Sequence, residues 1–395
     1  MLLSRAAFAV SLLALVGCAD SGASSADSQH DAARDAAAAD GQRDTQPAPD
    51  STRDAAGDAR DATADGTRAD ASPDSNILVT MCASPPPSGA TTAPPPPTYG
   101  GGTCPALVAG RNTLVSSGAQ RELILVLPNN PQPGERFPLI FMWHWLGGSA
   151  DKMLTRVEVQ NAADQQRFIA VIPEAKGDLK LLGLRDLPWP ITVDSANQAR
   201  RDEEHTFFDD MLACVSKQFA INRECVAGFG VSAGALYVAQ LASVRSFYLS
   251  SFISASGGVA GPGNGVLNNL LLPWTKAQRA LPALVLWGGP KDTCVLTDFD
   301  GASKNLEKAL AADGHFILEC VHNCDHSVPP FAAPAPGMTA FAPLWDFVLR
   351  HPYWLATGTS PLSSSLPPLY PSWCAPGAGN AQIRSGVCVE QGCAL

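Results

Sequence analysis

The sequence predicts an α/β fold: a mostly parallel central sheet with helices on both faces. Three observations carry that expectation. From residue 101 onward, short apolar runs alternate with longer segments of helical period. Several of the runs are almost continuously apolar, as strands covered on both faces must be. Alternating β and α elements, finally, place parallel strands side by side through helical crossovers. Ligands on such sheets collect at the carboxyl ends of the strands, so the chemistry should lie there.

The elements follow in order. Strands are expected at Leu123–Leu127, Leu139–Trp143, Phe168–Ile172, Cys225–Phe229, Leu249–Ala255, Ala283–Trp287 and Phe316–Cys320. A helix over Thr206–Phe219 places residues 207, 208, 211, 212, 215 and 219 on one apolar face. "AGALYVAQLA", from Ala233, is rich in helix formers, and Asn305–Ala312 and Phe341–Arg350 show weaker helical periods. Gly314 is placed to end the first of these two. The globular body is thus set at 101–357, followed by a cysteine-containing tail at 358–395.

The segment ahead of the body has a different composition. Met1 and Arg5 precede the apolar stretch AAFAVSLLALVG, which is too short for a membrane span and matches the core of an export signal. It ends in Leu15–Cys18, "LVGC", which resembles the lipobox of bacterial lipoproteins. That resemblance implies cleavage before Cys18 and lipidation of its thiol, with signal peptide 1–18 removed. Ala19 in place of Asp favours the outer membrane; release outside the cell is the alternative. Residues 19–75 hold 13 Asp and 5 Arg, which account for eight of the ten net negative charges. The acidity therefore belongs to a solvated tether and not to a binding face. A Pro-rich stretch completes the tether to residue 100, as a stiffer spacer. The body is near neutral with no basic stripe, so nucleic acid is not expected as a partner.

Excluding Cys18, ten cysteines remain: 82, 104, 214, 225, 294, 320, 324, 374, 388 and 393. An even number in an exported chain predicts disulfides. Their connectivity is not given by spacing.

One motif carries the chemistry. Gly230-Val231-Ser232-Ala233-Gly234 is G-x-S-x-G, preceded by an apolar strand and followed by a helix. A serine on such a turn presents its hydroxyl above the sheet, and the two glycines relieve crowding. The helix N-terminus supplies amide N–H groups where an oxyanion would form. A base and an acid are then required. Of seven histidines, His30 lies in the tether, His205 precedes the predicted helix at Thr206 as a capping-region residue, and His315 and His351 read as structural. His326, in the loop after Phe316–Cys320, is the expected base in preference to His322. Asp292, after Ala283–Trp287, is the expected acid, with Asp298 and Asp300 as alternatives. Asp325 could orient His326 only locally. An H-x₃-H metal pair at 322 and 326 lacks further ligands.

The order Ser232…Asp292…His326, with gaps of 60 and 34 residues, is that of α/β hydrolases. "PLIFMWHWLGG", "ADQQRFIAVIPEA" and "DDMLACVSKQFAINRECVAGFGVSAGA" together resemble that superfamily. Within it they are most similar to the extracellular polyhydroxybutyrate depolymerase and feruloyl esterase group. The resemblance covers Leu123 to Trp345 and implies an oxyanion hole made by the backbone N–H groups of Leu146 and Ala233, with His144 organising the loop. Trp145 stands where the group has glycine. With the loops of Asp292 and His326 as neighbours, Cys294–Cys324 is expected to hold acid to base and Cys214–Cys225 to pin the helix to the nucleophile strand, with Cys320–Cys324 as a competing local pair. Trp143 and Trp287 read as core, Trp145 and Trp189 as pocket walls, and the tail as a disulfide-held wrap.

The expected protein is an exported, lipid-anchored serine hydrolase, acting as a monomer without a cofactor on carboxylic esters through an acyl-Ser232 intermediate. The ester is of polyhydroxyalkanoate, feruloyl or acetyl type by resemblance alone. A serine peptidase of the same fold, or a catalytically silent surface-binding module, are the alternatives.

Overall fold

A computed structural model describes residues 81–183 and 185–393. Cys18, the export signal and the Asp-rich tether lie outside the described residues.

The chain enters the sheet through a hairpin of β1 (Gly110–Ser116) and β2 (Ala119–Val126). β3 (Phe137–Trp143) leads to helices α1 (Ala150–Arg156) and α2 (Val159–Gln166), then to β4 (Ile169–Pro173). A small hairpin, β5 (Leu179–Leu181) with β6 (Arg185–Leu187), precedes α3 (Gln198–Gln218). β7 (Ile221–Val231), α4 (Ala233–Val244), β8 (Ser251–Ala255) and β9 (Ala283–Trp287) follow. A second small hairpin, β10 (Thr293–Cys294) with β11 (Thr297–Asp298), opens α5 (Phe299–Ala312). β12 (Ile317–Val321), α6 (Ala342–Leu349) and β13 (Cys374–Pro376) complete the order.

Nine strands form one sheet in the order β1-β2-β4-β3-β7-β8-β9-β12-β13. From β4 through β12 every neighbouring pair is parallel, and antiparallel strands flank that block at both ends. Burial on both faces explains why the parallel strands read as unbroken apolar runs. One face packs against α3, α4 and α5 through residues such as Phe141, Phe208, Leu236 and Leu306. The other packs against α1, α2 and α6 through Met142, Met153, Trp345 and Phe347. Trp345 sits fully buried between Phe229 and Phe168, with ring centroids 5.3 and 5.6 Å away. Such aromatic contacts stabilise by about 1 kcal/mol each beyond area burial. In α4 only Gln240 and Val244 escape full burial, as a helix apolar all round requires.

All seven predicted strands form, several with shifted ends. The helix expected from Thr206 begins eight residues earlier, at Gln198. Its first two turns are charged because they carry ion pairs instead of an apolar stripe: Arg200 bonds Asp178 and Glu204 at 2.8 Å each. His205 is therefore a mid-helix buried residue, not a cap.

The Pro-rich stretch is not a spacer. Cys82 is joined to Cys225 in β7, the Ala93 N–H donates to the Glu224 carboxylate at 3.1 Å, and the Gly100 N–H donates to Asp210 Oδ1 at 2.8 Å. A segment with little conformational freedom of its own is held along the body by a few such contacts. The tail returns to the body as well, adding β13 beside β12.

Candidate active site

Ser232 sits at the end of β7, with φ 55° and ψ −118°. That backbone conformation costs a non-glycine residue on the order of 1–3 kcal/mol, so the surroundings must impose it. A Cβ on Gly230 would meet the Gly234 carbonyl oxygen at 2.2 Å, and one on Gly234 would meet the Trp143 carbonyl oxygen at 2.1 Å. Both glycines are sterically obligatory. The Ser232 N–H donates to the Ala255 carbonyl at 2.8 Å, which ties the turn to β8.

Ser232 Oγ donates to His326 Nε2 at 2.9 Å, and His326 Nδ1 donates to Asp292 Oδ1 at 2.6 Å. The imidazole is fully buried and stacks on Phe299, ring centroids 4.1 Å apart. Asp292 Oδ2 accepts from Ser256 Oγ and from the Gly288 N–H, both at 2.8 Å. With a carboxylate accepting at Nδ1, the lone pair at Nε2 is turned toward the serine hydroxyl. The three residues predicted from sequence meet in one hydrogen-bonded line.

The alternatives are engaged elsewhere. Asp298 caps α5 through the Gly301 N–H at 2.9 Å, and Asp300 accepts from Trp287 Nε1 at 2.9 Å. His322 Nδ1 accepts from the Cys324 N–H at 3.2 Å, and burial pushes its pKa down to about 4. His322 and His326 thus face different partners. His315 and His351 bond the backbone at Leu281 and Phe347.

The loop after β3 is braced from three sides. His144 Nδ1 donates to the Trp145 carbonyl at 2.9 Å, and its Nε2 lies 3.3 Å from Glu174 Oε1. Burial raises the Glu174 pKa, but His144 and the Ala150 N–H outweigh it, leaving the carboxyl below its ordinary range. Trp189 Nε1 donates to the His144 carbonyl at 2.7 Å. Trp189 is fully buried; it supports the loop and is not the pocket wall expected. Trp145 does line a pocket, a small apolar cavity of about 40 Å³ with Val231, Ser256 and Phe341. Its indole belongs to the core on the α6 side of the sheet, whereas Leu146 lines the cleft beside Ser232. Among the described residues, nothing accepts a hydrogen bond from the N–H of Leu146 or of Ala233. The cleft itself, about 140 Å³, is walled by Leu187, Ile191, Leu271, Phe299 and Cys393.

The anticipated disulfides are corrected. Cys214 pairs with Cys104 and Cys225 with Cys82, while Cys294 pairs with Cys393, Cys324 with Cys388 and Cys320 with Cys374. No direct bridge joins the acid and base loops. Each is tied to the tail, and Ser327 Oγ adds a bond to the Glu390 carbonyl at 2.9 Å.

No family model matches the chain. Native structures of two solved proteins, pOPH and sOPH, superpose with TM-scores of 0.56 and 0.53. They are 16% and 17% identical, and the match covers 72% and 73% of this chain and 99% of each of theirs. The chain has the α/β-hydrolase fold. It is also 26% identical over 273 residues to feruloyl esterase D of Neurospora crassa, covering 64% of this chain and 89% of that protein. In α/β-hydrolase terms, Ser232, Asp292 and His326 follow the central, seventh and eighth strands of the main sheet in chain order. The contributions that sequence reasoning missed are Ser256, Phe299 and the attachment of the disulfide-held tail to the loops of Asp292 and His326. Ser256 and Phe299 carry no motif, and the tail's role depends on a connectivity that spacing does not encode.

Proposed function

We propose that this α/β hydrolase cleaves carboxylic esters, with Ser232 as nucleophile, His326 as general base and acid, and Asp292 as the group that orients it. The reading rests on one observation: the unbroken 2.9 and 2.6 Å chain from Ser232 through His326 to Asp292 beside the cleft. Ser232 Oγ attacks the ester carbonyl while His326 Nε2 takes its proton. The Asp292 carboxylate balances the imidazolium that forms. The N–H groups of Leu146 and Ala233 receive the oxyanion. Collapse expels the alcohol with a proton from His326, and water then cleaves the acyl-Ser232 ester by the same steps in reverse. The mechanism requires no cofactor.

An ester is favoured over a peptide because half of the residues lining the cleft are Leu, Ile or Phe, which suit an apolar acyl or alcohol part. Feruloyl, acetyl and polyhydroxyalkanoate-type esters are the favoured classes, the first supported by the likeness to feruloyl esterase D. The protein is exported, as five disulfides favour. It acts as a monomer anchored to the envelope through Cys18.

Intact-protein mass after fluorophosphonate treatment tests the nucleophile. A single adduct on the oxidised protein, absent from Ser232→Ala, is the expected result. A folded protein that takes no adduct would favour the silent binding module instead.

A further inference from the structure

One stretch of the cleft wall has a strained backbone and a covalent attachment. Hairpin β10–β11 pairs Thr293 with Asp298 and Cys294 with Thr297, which leaves Val295 and Leu296 as its two-residue turn. Their φ values are 45° and 65°. A hairpin turn with both central residues in the left-handed region favours Asn-Gly, and a β-branched or bulky residue rarely accepts it. Burial does not pin the turn, because Leu296 is 61% exposed and Val295 is half-buried. Cys294, Val295 and Thr297 nevertheless line the cleft beside Ser232.

The turn is held by a hydrogen bond and a disulfide. The Leu267 N–H donates to the Leu296 carbonyl at 3.1 Å. Cys294 is joined to Cys393, an exposed tail residue that itself lines the cleft. The base of the hairpin is fixed separately. There the Phe299 N–H donates to the Asp292 carbonyl and Asn268 Nδ2 to the Asp298 carbonyl, both at 2.8 Å. The tail is fixed separately too, by Cys324–Cys388, by Arg384 on Asn323 and by Ser327 Oγ on the Glu390 carbonyl. The Cys294–Cys393 bridge is therefore not needed to keep the tail on the body. What it restrains is the hairpin.

We propose that the Cys294–Cys393 bridge is a specificity-determining clamp that holds the strained Val295–Leu296 turn at the cleft and so limits the size of ester that Ser232 accepts. The inference rests on the esterase reading and assigns the size limit of that same site. At about 140 Å³ the cleft is smaller than the roughly 300–1,000 Å³ of sites that enclose drug-sized ligands. The position of one wall then decides which esters fit. Released from Cys393, the turn sheds its strain by leaving the two-residue hairpin geometry, and the wall opens.

Steady-state kinetics of the full oxidised chain and of a Cys294→Ala, Cys393→Ala double variant test it; four other disulfides keep that variant folded. Acyl size is read from 4-nitrophenyl octanoate against acetate, and alcohol size from 1-naphthyl against phenyl acetate. The bulky-to-small ratio of kcat/KM should rise by about tenfold or more in at least one series, mainly through a lower KM for the bulky ester. Adding Leu296→Gly to the double variant should reverse most of that rise, because glycine holds the left-handed turn without a clamp. Ratios unchanged in both series would overturn the proposal while leaving the esterase reading intact. A rise that Leu296→Gly leaves untouched would overturn it as well, since the lost sulfur atoms alone would then account for the extra room. An unaltered protein that cleaves none of the four esters and takes no fluorophosphonate on Ser232 would overturn the esterase reading, and this inference with it.

Discussion

The turn that carries Ser232 and the corner that holds Asp292 and His326 meet at one hydrogen bond but are built in different ways. The turn is a single run of chain, Gly228 to Ala235, whose shape is dictated by the clash distances at Gly230 and Gly234. The corner is assembled from pieces remote in sequence: Ser256, Gly288–Phe299, His322–Ser327 and the tail at 384–393. Two disulfides, Cys294–Cys393 and Cys324–Cys388, fasten its loops to that tail. Arg384 Nη1 bonds Asn323 Oδ1 at 2.7 Å, and Asn323 Nδ2 returns a bond to the Gly386 carbonyl at 2.8 Å. Close backbone packing around one contiguous turn, against its own helix start and the end of β3, makes one half rigid. The other half is rigid only while distant segments stay connected.

The largest effect should come from attacking the turn. Gly234→Ala forces a Cβ to within 2.1 Å of the Trp143 carbonyl oxygen, backbone that cannot move aside. Overpacking of this kind costs on the order of 3 kcal/mol or more and destroys the strained geometry at Ser232. The variant should either fail to fold or fold without esterase activity toward a 4-nitrophenyl ester. A well-folded, active Gly234→Ala protein would break the argument that sterics define this half.

Asp292→Asn comes next. The fold should survive, because the amide still accepts from the Gly288 N–H or Ser256. The tautomer of His326 should reverse, since an amide NH₂ facing Nδ1 leaves the ring proton on Nε2. The esterase kcat should fall by about 10⁴ with little change in Tm. A loss below tenfold would mean that another acid serves His326.

The tail gives a graded test. Truncation after Gly377, with Cys294 and Cys324 changed to Ala so that they cannot pair with each other, frees both catalytic loops. Each lost disulfide should cost up to about 4 kcal/mol of stability, while Cys82–Cys225, Cys104–Cys214 and Cys320–Cys374 remain. A base displaced by about 1 Å loses roughly 100-fold in rate, so kcat should drop by that order at temperatures where the protein is folded. Unchanged kcat would show that Asp292, Ser256 and Phe299 suffice to position His326, and the two halves would then be alike.

How each half is built also explains what could be read from sequence. The strand, the G-x-S-x-G turn and the helix are contiguous, so period and glycine placement reveal them directly. Asp292 and His326 were legible because each follows an apolar strand, where this sheet presents its loops. Ser256 and Phe299 were not, because each is recognised only by what it touches. The charged start of α3 obscured that helix, since its residues answer to Asp178 and Glu204 rather than to an apolar core. The disulfides failed most completely. The expected nearness of acid and base loops suggested Cys294–Cys324, and that of helix and nucleophile strand suggested Cys214–Cys225, but Cys393, Cys388, Cys104 and Cys82 take those four partners.

The smallest predicted effect concerns stability and pH. Burial lowers the pKa of His205, His322 and His351 to about 4 each, and burial with Glu319 raises that of Glu307 to about 9. In the unfolded chain the histidines would titrate near 6.5 and the glutamate near 4.5. Below neutrality the unfolded state therefore binds more protons through the histidines, and stability falls with pH until their folded-state values are passed. Above neutrality the folded state holds the extra proton on Glu307, and stability falls as pH rises toward 9. Around pH 5.5 the histidine side dominates, with a net slope of about 2 kcal/mol per pH unit. Thermal unfolding followed from pH 4.5 to 9 should give a maximum near neutral pH with a steeper acid limb. His322→Asn should flatten that acid limb by about half, since it removes one of three histidines whose combined effect Glu307 already opposes. Glu307→Gln should flatten the alkaline limb and steepen the acid one, where the glutamate opposes the histidines. An acid limb unchanged in His322→Asn would mean that the histidine next to the catalytic loop is already charged in the folded protein.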